Sequence, residues 1–194
     1  FRSAGCGVRE GRPVRTLIVG TGHSGTKWIT ETLNTAGIPA EHQTIRHAHT
    51  LGERFRWPED VEVIVSFEAV PIMGQIEARR LLVVRHPTDT IGSWLKRGAF
   101  GPNMRSEFAM WSVVLDRWFP TVLAEPSPQD QAAHYWYLWN LYALTRADSY
   151  TRIDRIAEKQ WFDVEWEPPA ASHHPAADVR PRLQHAVDRL WEMF

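Results

Sequence analysis

Cysteine is almost absent from this chain, with Cys6 alone among 194 residues. That excludes an internal disulfide framework and a zinc site built on thiolates, and it fits a reducing compartment. A charge of one sign is absent as well: 22 Lys and Arg balance 23 Asp and Glu for a net charge of -1. A general polyanion binder that coats nucleic acid is therefore not expected. No apolar run approaches the roughly 18–20 residues that span a bilayer, and the first residues show no apolar core of a secretion signal. These absences predict a soluble, cytoplasmic protein with no nucleic-acid partner and no stable membrane insertion. The length suits one well-buried domain rather than two.

Tryptophan, in contrast, is plentiful. Ten are present, most of them between Trp94 and Trp166, and packing in a core or along a groove is the expectation for them. Residues 1–13 are rich in Gly and Arg without periodicity and read as a flexible leader; residues 14–194 read as a single domain. Within it, short apolar runs at 14–20, 61–67, 81–84 and 150–153 read as strands. Helical patterns cover 27–36, 88–97, 104–119, 129–146 and 179–193. Residues 40–59 are polar, His-rich and read as loop, residues 120–128 as a Pro-containing turn, and residues 165–175 as a Pro-, Ala- and His-rich loop. Strands that alternate with helices predict an α/β fold. The expected form is a P-loop-type, three-layer αβα domain with a central, mostly parallel sheet.

The most informative stretch is Gly20, Thr21, Gly22, His23, Ser24, Gly25, Thr26, Lys27, Trp28. A buried strand enters this Gly/Ser/Thr turn and a helix leaves it, an order that aims backbone N–H groups and the first helical turn at one place. Gly22, His23, Ser24, Gly25, Thr26 and Lys27 are thus expected to cradle a phosphate or sulfate. A Walker A loop requires Gly-Lys-Ser/Thr at the helix start. Here Thr26 stands in the lysine position and Trp28 follows Lys27, so the register fails by one residue and the Mg²⁺-binding hydroxyl is missing. A Gly-x-Gly-x-x-Gly spacing runs from Gly20 to Gly25, yet no acidic residue closes a second strand about 20 residues on, as dinucleotide binding requires. A second anchor follows the strand at 81–84. Arg85 stands at its end and Ser93 eight residues later inside the next helix, a pair suited to a separate phosphate.

Taken together, His23-Ser24-Gly25-Thr26-Lys27-Trp28 and Arg85-x₇-Ser93 resemble the 5′-phosphosulfate loop and the 3′-phosphate motif of sulfotransferases that use 3′-phosphoadenosine 5′-phosphosulfate (PAPS). The runs from Tyr135 to Asn140 and from Tyr150 to Asp154 look like late segments of small bacterial members. The likeness extends from about Val14 to Trp166. It departs from the family at His23, where Lys or Arg is usual, and in lacking a glycine-rich third nucleotide motif near the C-terminus. The resemblance implies transfer of a sulfuryl group from PAPS to a hydroxyl or amine, with 3′,5′-adenosine bisphosphate as product and no metal. It assigns His23 to the leaving oxygen, with Lys27 as the alternative cation one helical turn away. Trp28 matches a position that stacks on adenine, although a tryptophan at a helix start also serves as a core anchor. Glu68, just after the second strand, sits where the family carries a catalytic base. His42, His47 and His49 are competing bases, and their spacing also admits a metal, against the plainer reading of a solvated loop. The apolar helix around Trp136 and Trp139 offers a wall for an aromatic, glycan or lipid alcohol. Two other classes stand beside this reading: a P-loop kinase or nucleotide hydrolase, and a non-catalytic nucleotide-binding module.

Overall fold

The computed structural model describes residues 14–167 and 177–194. The leader expected at 1–13, with Cys6, and residues 168–175 of the loop expected at 165–175 lie outside the described residues.

The chain runs β1 (Thr16–Val19), α1 (Thr26–Thr35), β2 (Ala40–His42), α2 (His47–Thr50), β3 (Val63–Val65), a 3₁₀ segment (Phe67–Gln75), β4 (Arg79–Val84) and α3 (Pro87–Lys96). It continues through a 3₁₀ turn (Ser106–Phe108), α4 (Ala109–Trp118), α5 (Pro120–Leu123), α6 (Pro128–Leu144), β5 (Ser149–Arg152), a third 3₁₀ segment (Ile153–Glu158) and α7 (Pro181–Glu192). The strands form one sheet in the order β2-β3-β1-β4-β5. Every pairing is parallel, with Ile18 opposite Val65 on one side and Leu81 on the other. The sheet is therefore wholly parallel, where a mostly parallel one was expected.

Parallel strands buried on both faces read as continuous apolar runs, and β1 is buried at all four positions. Alternate side chains feed two cores. Leu17, Val19, Ile64, Leu82 and Val84 join Trp94 of α3, Trp111 of α4, and Trp136 and Trp139 of α6. Ile18, Val63, Val65, Leu81 and Val83 join Ile29 and Leu33 of α1 with Ile153, Ile156, Trp161 and Trp166. Helices thus cover both faces, as a three-layer arrangement requires.

Several boundaries differ from the sequence expectation. The region 40–59, read as loop, holds β2 and α2. Only Ala40 of β2 is buried, so this three-residue edge strand lacks the apolar run that marks its neighbours. The second strand stops at Val65, and Phe67 opens the 3₁₀ segment instead of continuing the strand. The helix expected from 104 begins as an α-helix only at Ala109, and the turn expected over 120–128 contains α5. α6 starts one residue early because Ser127 Oγ accepts from the Asp130 backbone N–H at 3.0 Å, with Pro128 in the first turn.

Candidate functional site

The turn after β1 is shaped from within. Ser24 N–H donates to the Thr21 carbonyl at 3.0 Å, and the first helical bond runs from Ile29 N–H to the Gly25 carbonyl. Gly25 caps α1 at φ 90, a left-handed conformation that L side chains rarely adopt, and His23 also lies there at φ 67. The N–H groups of Thr26, Lys27 and Trp28 open the helix, where no intrahelical carbonyl precedes them. Gly20 is needed for a different reason: a Cβ there would lie 2.5 Å from the Val83 carbonyl oxygen and against the Ser24 hydroxyl.

Three buried indoles hold this end of the sheet. Trp139 Nε1 donates to the Gly20 carbonyl at 3.2 Å and Trp94 Nε1 to the Gly22 carbonyl at 3.0 Å. Trp136 Nε1 donates to the Arg85 carbonyl at 3.3 Å. The hydroxyl of Tyr135 accepts the Gly22 N–H at 3.2 Å. Full burial of Tyr135 raises its phenol well above the usual value, so this hydroxyl stays protonated. Local sequence marks these aromatic residues only as packing, whereas their polar tips hold the backbone of the turn after β1 and of Arg85. The partners lie 51 to 119 positions apart, and no local pattern reports such contacts.

The second anchor lies beside the first because β1 and β4 are neighbours, with Val19 opposite Leu82. Arg85 Nη1 donates to the His23 carbonyl at 3.3 Å, and its Nε lies 3.4 Å from Asp89 Oδ2, one turn along α3. Both anchors open on one cavity of about 660 Å³ at the carboxyl ends of the strands, between the start of α1 and the second half of α3. Ligands of open parallel sheets bind at this edge.

Gly22, His23, Gly25, Thr26, Lys27 and Trp28 line the cavity on the β1 side; Arg85 and Ser93 line it on the β4 side, and Glu68 on the β3 side. Three expected contributors behave differently. Ser24 is fully buried beneath the turn, because its N–H folds it back on Thr21. Gly22 reaches the wall but commits its N–H to Tyr135. Lys27 points to solvent, with 78% of its side chain exposed, and lies 3.6 Å from Glu31. Trp28 is half-buried against Trp166, ring centres 5.5 Å apart. Arg97, one turn beyond Ser93, also lines the cavity and was not singled out from the sequence. Its i+4 spacing from Ser93 was the available signal.

Burial first, and the neighbouring cations second, set the electrostatics of the cavity. His23 is pushed down to about 4, first by burial and then by Arg97 and Arg85, so the ring is neutral at pH 7. His42 is also lowered, by burial and then by Lys27, and its Nε2 lies 3.0 Å from Thr26 Oγ1. His47 and Glu68 meet at the far wall, with Nδ1 3.0 Å from Oε2. His49 does not join them, since its Nδ1 accepts from the Arg46 backbone N–H at 2.9 Å. Among the described residues no group of three His, Cys, Asp or Glu is placed to hold a metal ion, and no helix is long and apolar enough to cross a membrane. No protein-family model, no curated protein and no solved structure matches this chain.

Proposed function

We propose that this cavity binds 3′-phosphoadenosine 5′-phosphosulfate and passes its sulfuryl group to a hydroxyl or amine, on a domain of P-loop type. One observation carries the reading. The glycine turn after β1 and the Arg85–Ser93 pair, which sequence reading treats as separate anion anchors, line the same cavity. In this reading the 5′-phosphosulfate lies at the start of α1, the 3′-phosphate between Arg85 and Ser93, and the adenine against Trp28.

Sulfuryl transfer depends on positioning and charge stabilisation, as phosphoryl transfer does. Negative charge grows on the bridging oxygen as the S–O bond breaks, and donors aimed at that oxygen lower the barrier. His23 is the ionisable side chain of the turn itself and lines the cavity. A neutral ring offers an N–H, and a dianion bound beside it opposes the push of Arg85 and Arg97 and draws a proton onto the imidazole. Lys27 serves as the second cation after release from Glu31.

A Mg²⁺-dependent kinase is disfavoured because Thr26 stands where a Walker A loop carries its lysine and Lys27 stands where it carries the Mg²⁺-binding hydroxyl. The test is transfer of label from ³⁵S-PAPS to a mixed pool of phenols, glycans and lipid alcohols. Labelled product supports the enzyme. Binding of the donor without any release of label is the outcome for a non-catalytic module.

A further inference from the structure

The acceptor needs a base, and the wall opposite the glycine turn is built around one pair of side chains. His47 sits at the start of α2 and Glu68 at the start of the 3₁₀ segment. The loop before α2 is zipped onto the end of β3. Gln43 N–H donates to the Val65 carbonyl, and the buried Ser66 hydroxyl to the Ile45 carbonyl, both at 3.0 Å. The Thr50 hydroxyl then donates to the His47 carbonyl at 2.7 Å. Trp111 lies along the imidazole, with ring centres 5.7 Å apart and a tilt of 36°.

These restraints leave His47 Nδ1 3.0 Å from Glu68 Oε2, with 23% and 12% of the two side chains exposed. Both atoms are sealed from solvent, neither has another hydrogen-bond partner among the described residues, and they are not yet aligned for one. Buried polar atoms are rarely left unpaired, and at this distance a small rotation lets these two satisfy each other. With Nδ1–H turned to the carboxylate, the remaining nitrogen, Nε2, carries the lone pair on a ring that lines the cavity.

We infer that His47 and Glu68 work as a unit on the acceptor: His47 Nε2 is the catalytic base, and Glu68 is a positioning residue that fixes its tautomer and aim. This rests on the sulfuryl-transfer reading and moves proton acceptance from Glu68 to His47. In the step, the acceptor O–H proton passes to Nε2 while the acceptor oxygen bonds to sulfur. The bond from sulfur to the bridging oxygen breaks, and its electron pair leaves with 3′,5′-adenosine bisphosphate. An imidazole suits this task near neutral pH better than a lone carboxylate does.

The tautomer is read directly by ¹⁵N–¹H correlation spectra of the full chain. The expected signature for His47 is a protonated Nδ1 and a bare Nε2. Glu68→Ala should lose it, and Glu68→Gln should keep it because an amide oxygen still accepts from Nδ1–H. Release of labelled sulfate from ³⁵S-PAPS into water gives the second readout. His47→Gln should lower it at least about 100-fold while stabilisation by 3′,5′-adenosine bisphosphate is retained. An Nε2–H tautomer in the wild-type chain, or unchanged sulfate release in His47→Gln, overturns the assignment. Failure of the wild-type chain to bind the bisphosphate would instead overturn the sulfuryl-transfer reading, and the spectra separate the two.

Discussion

Arg85 Nη1 donates a hydrogen bond to the carbonyl oxygen of His23 across 3.3 Å, so the residue after β4 grips the backbone of the turn after β1. The contact joins the turn after β1 to the residue after β4, 62 positions apart in the chain. In the proposed complex the guanidinium serves both the turn and the 3′-phosphate. Arg85→Ala should weaken binding of 3′,5′-adenosine bisphosphate by about 10- to 150-fold, the range expected from about 1.5–3 kcal/mol for a hydrogen bond to a charged group. Arg85→Lys should not restore it, because an ammonium lacks the planar fork. Calorimetric titration measures both, and an unchanged affinity in Arg85→Ala would remove the second anchor.

Trp139 anchors the first loop from the opposite core by its bond to the Gly20 carbonyl. Trp139→Phe keeps most of the ring and deletes the donor, leaving a buried carbonyl unsatisfied at a cost of about 1–3 kcal/mol. A domain of this size then melts about 2–12 °C lower. Thermal unfolding checks this, and an unchanged midpoint would mean that the indole acts by packing alone.

Gly20 itself admits no side chain, since the Val83 carbonyl of the neighbouring strand occupies the space. Gly37 is a useful contrast: it sits at φ 81, and a Cβ added there would meet nothing within 4 Å. Gly37→Ala therefore carries only left-handed strain of roughly 1–2 kcal/mol. Gly20→Ala forces strand and turn apart and should cost more than Gly37→Ala. Denaturant unfolding of the two variants ranks them, and the reverse order would contradict the packing at this corner.

The depressed pKa of His23 sets a sign for pH dependence. Its unfolded value is near 6.5 and its folded value about 4. The unfolded chain therefore binds the proton more readily in that window. The stability contributed by the neutral ring is whole above about pH 6.5 and is lost as pH falls toward 4. His23→Gln should flatten this acid limb. A bound dianion raises the imidazole pKa, so ligand binding near pH 6 should take up more protons in the wild type than in His23→Gln. Titrations in buffers of different ionisation enthalpy count those protons, and equal uptake would place His23 away from the ligand.

How much of this was readable in advance follows from where each contact lies in the chain. β1 and β4 declare themselves because burial on both faces demands unbroken apolar runs. β2 does not, since an edge strand with one buried residue carries no such run. The glycine turn and the Arg85–Ser93 spacing are local and legible. The indole donors of Trp94, Trp136 and Trp139 and the meeting of His47 with Glu68 are products of tertiary packing. Ser24 illustrates the converse: its place in the motif is legible, yet the turn folds its hydroxyl beneath Gly20 rather than onto the wall of the cavity.

The central claim is that one adenosine bisphosphate bridges the glycine turn and Arg85. Its most direct test is thermal unfolding with 3′,5′-adenosine bisphosphate, 3′-AMP, 5′-AMP, or ATP plus Mg²⁺. At about 100 times its Kd the bisphosphate contributes about 2.7 kcal/mol, which raises the midpoint by roughly 5–10 °C for a domain of this size. Each monophosphate at the same concentration should give a clearly smaller shift. Stabilisation by ATP plus Mg²⁺ with none from the bisphosphate would contradict the account.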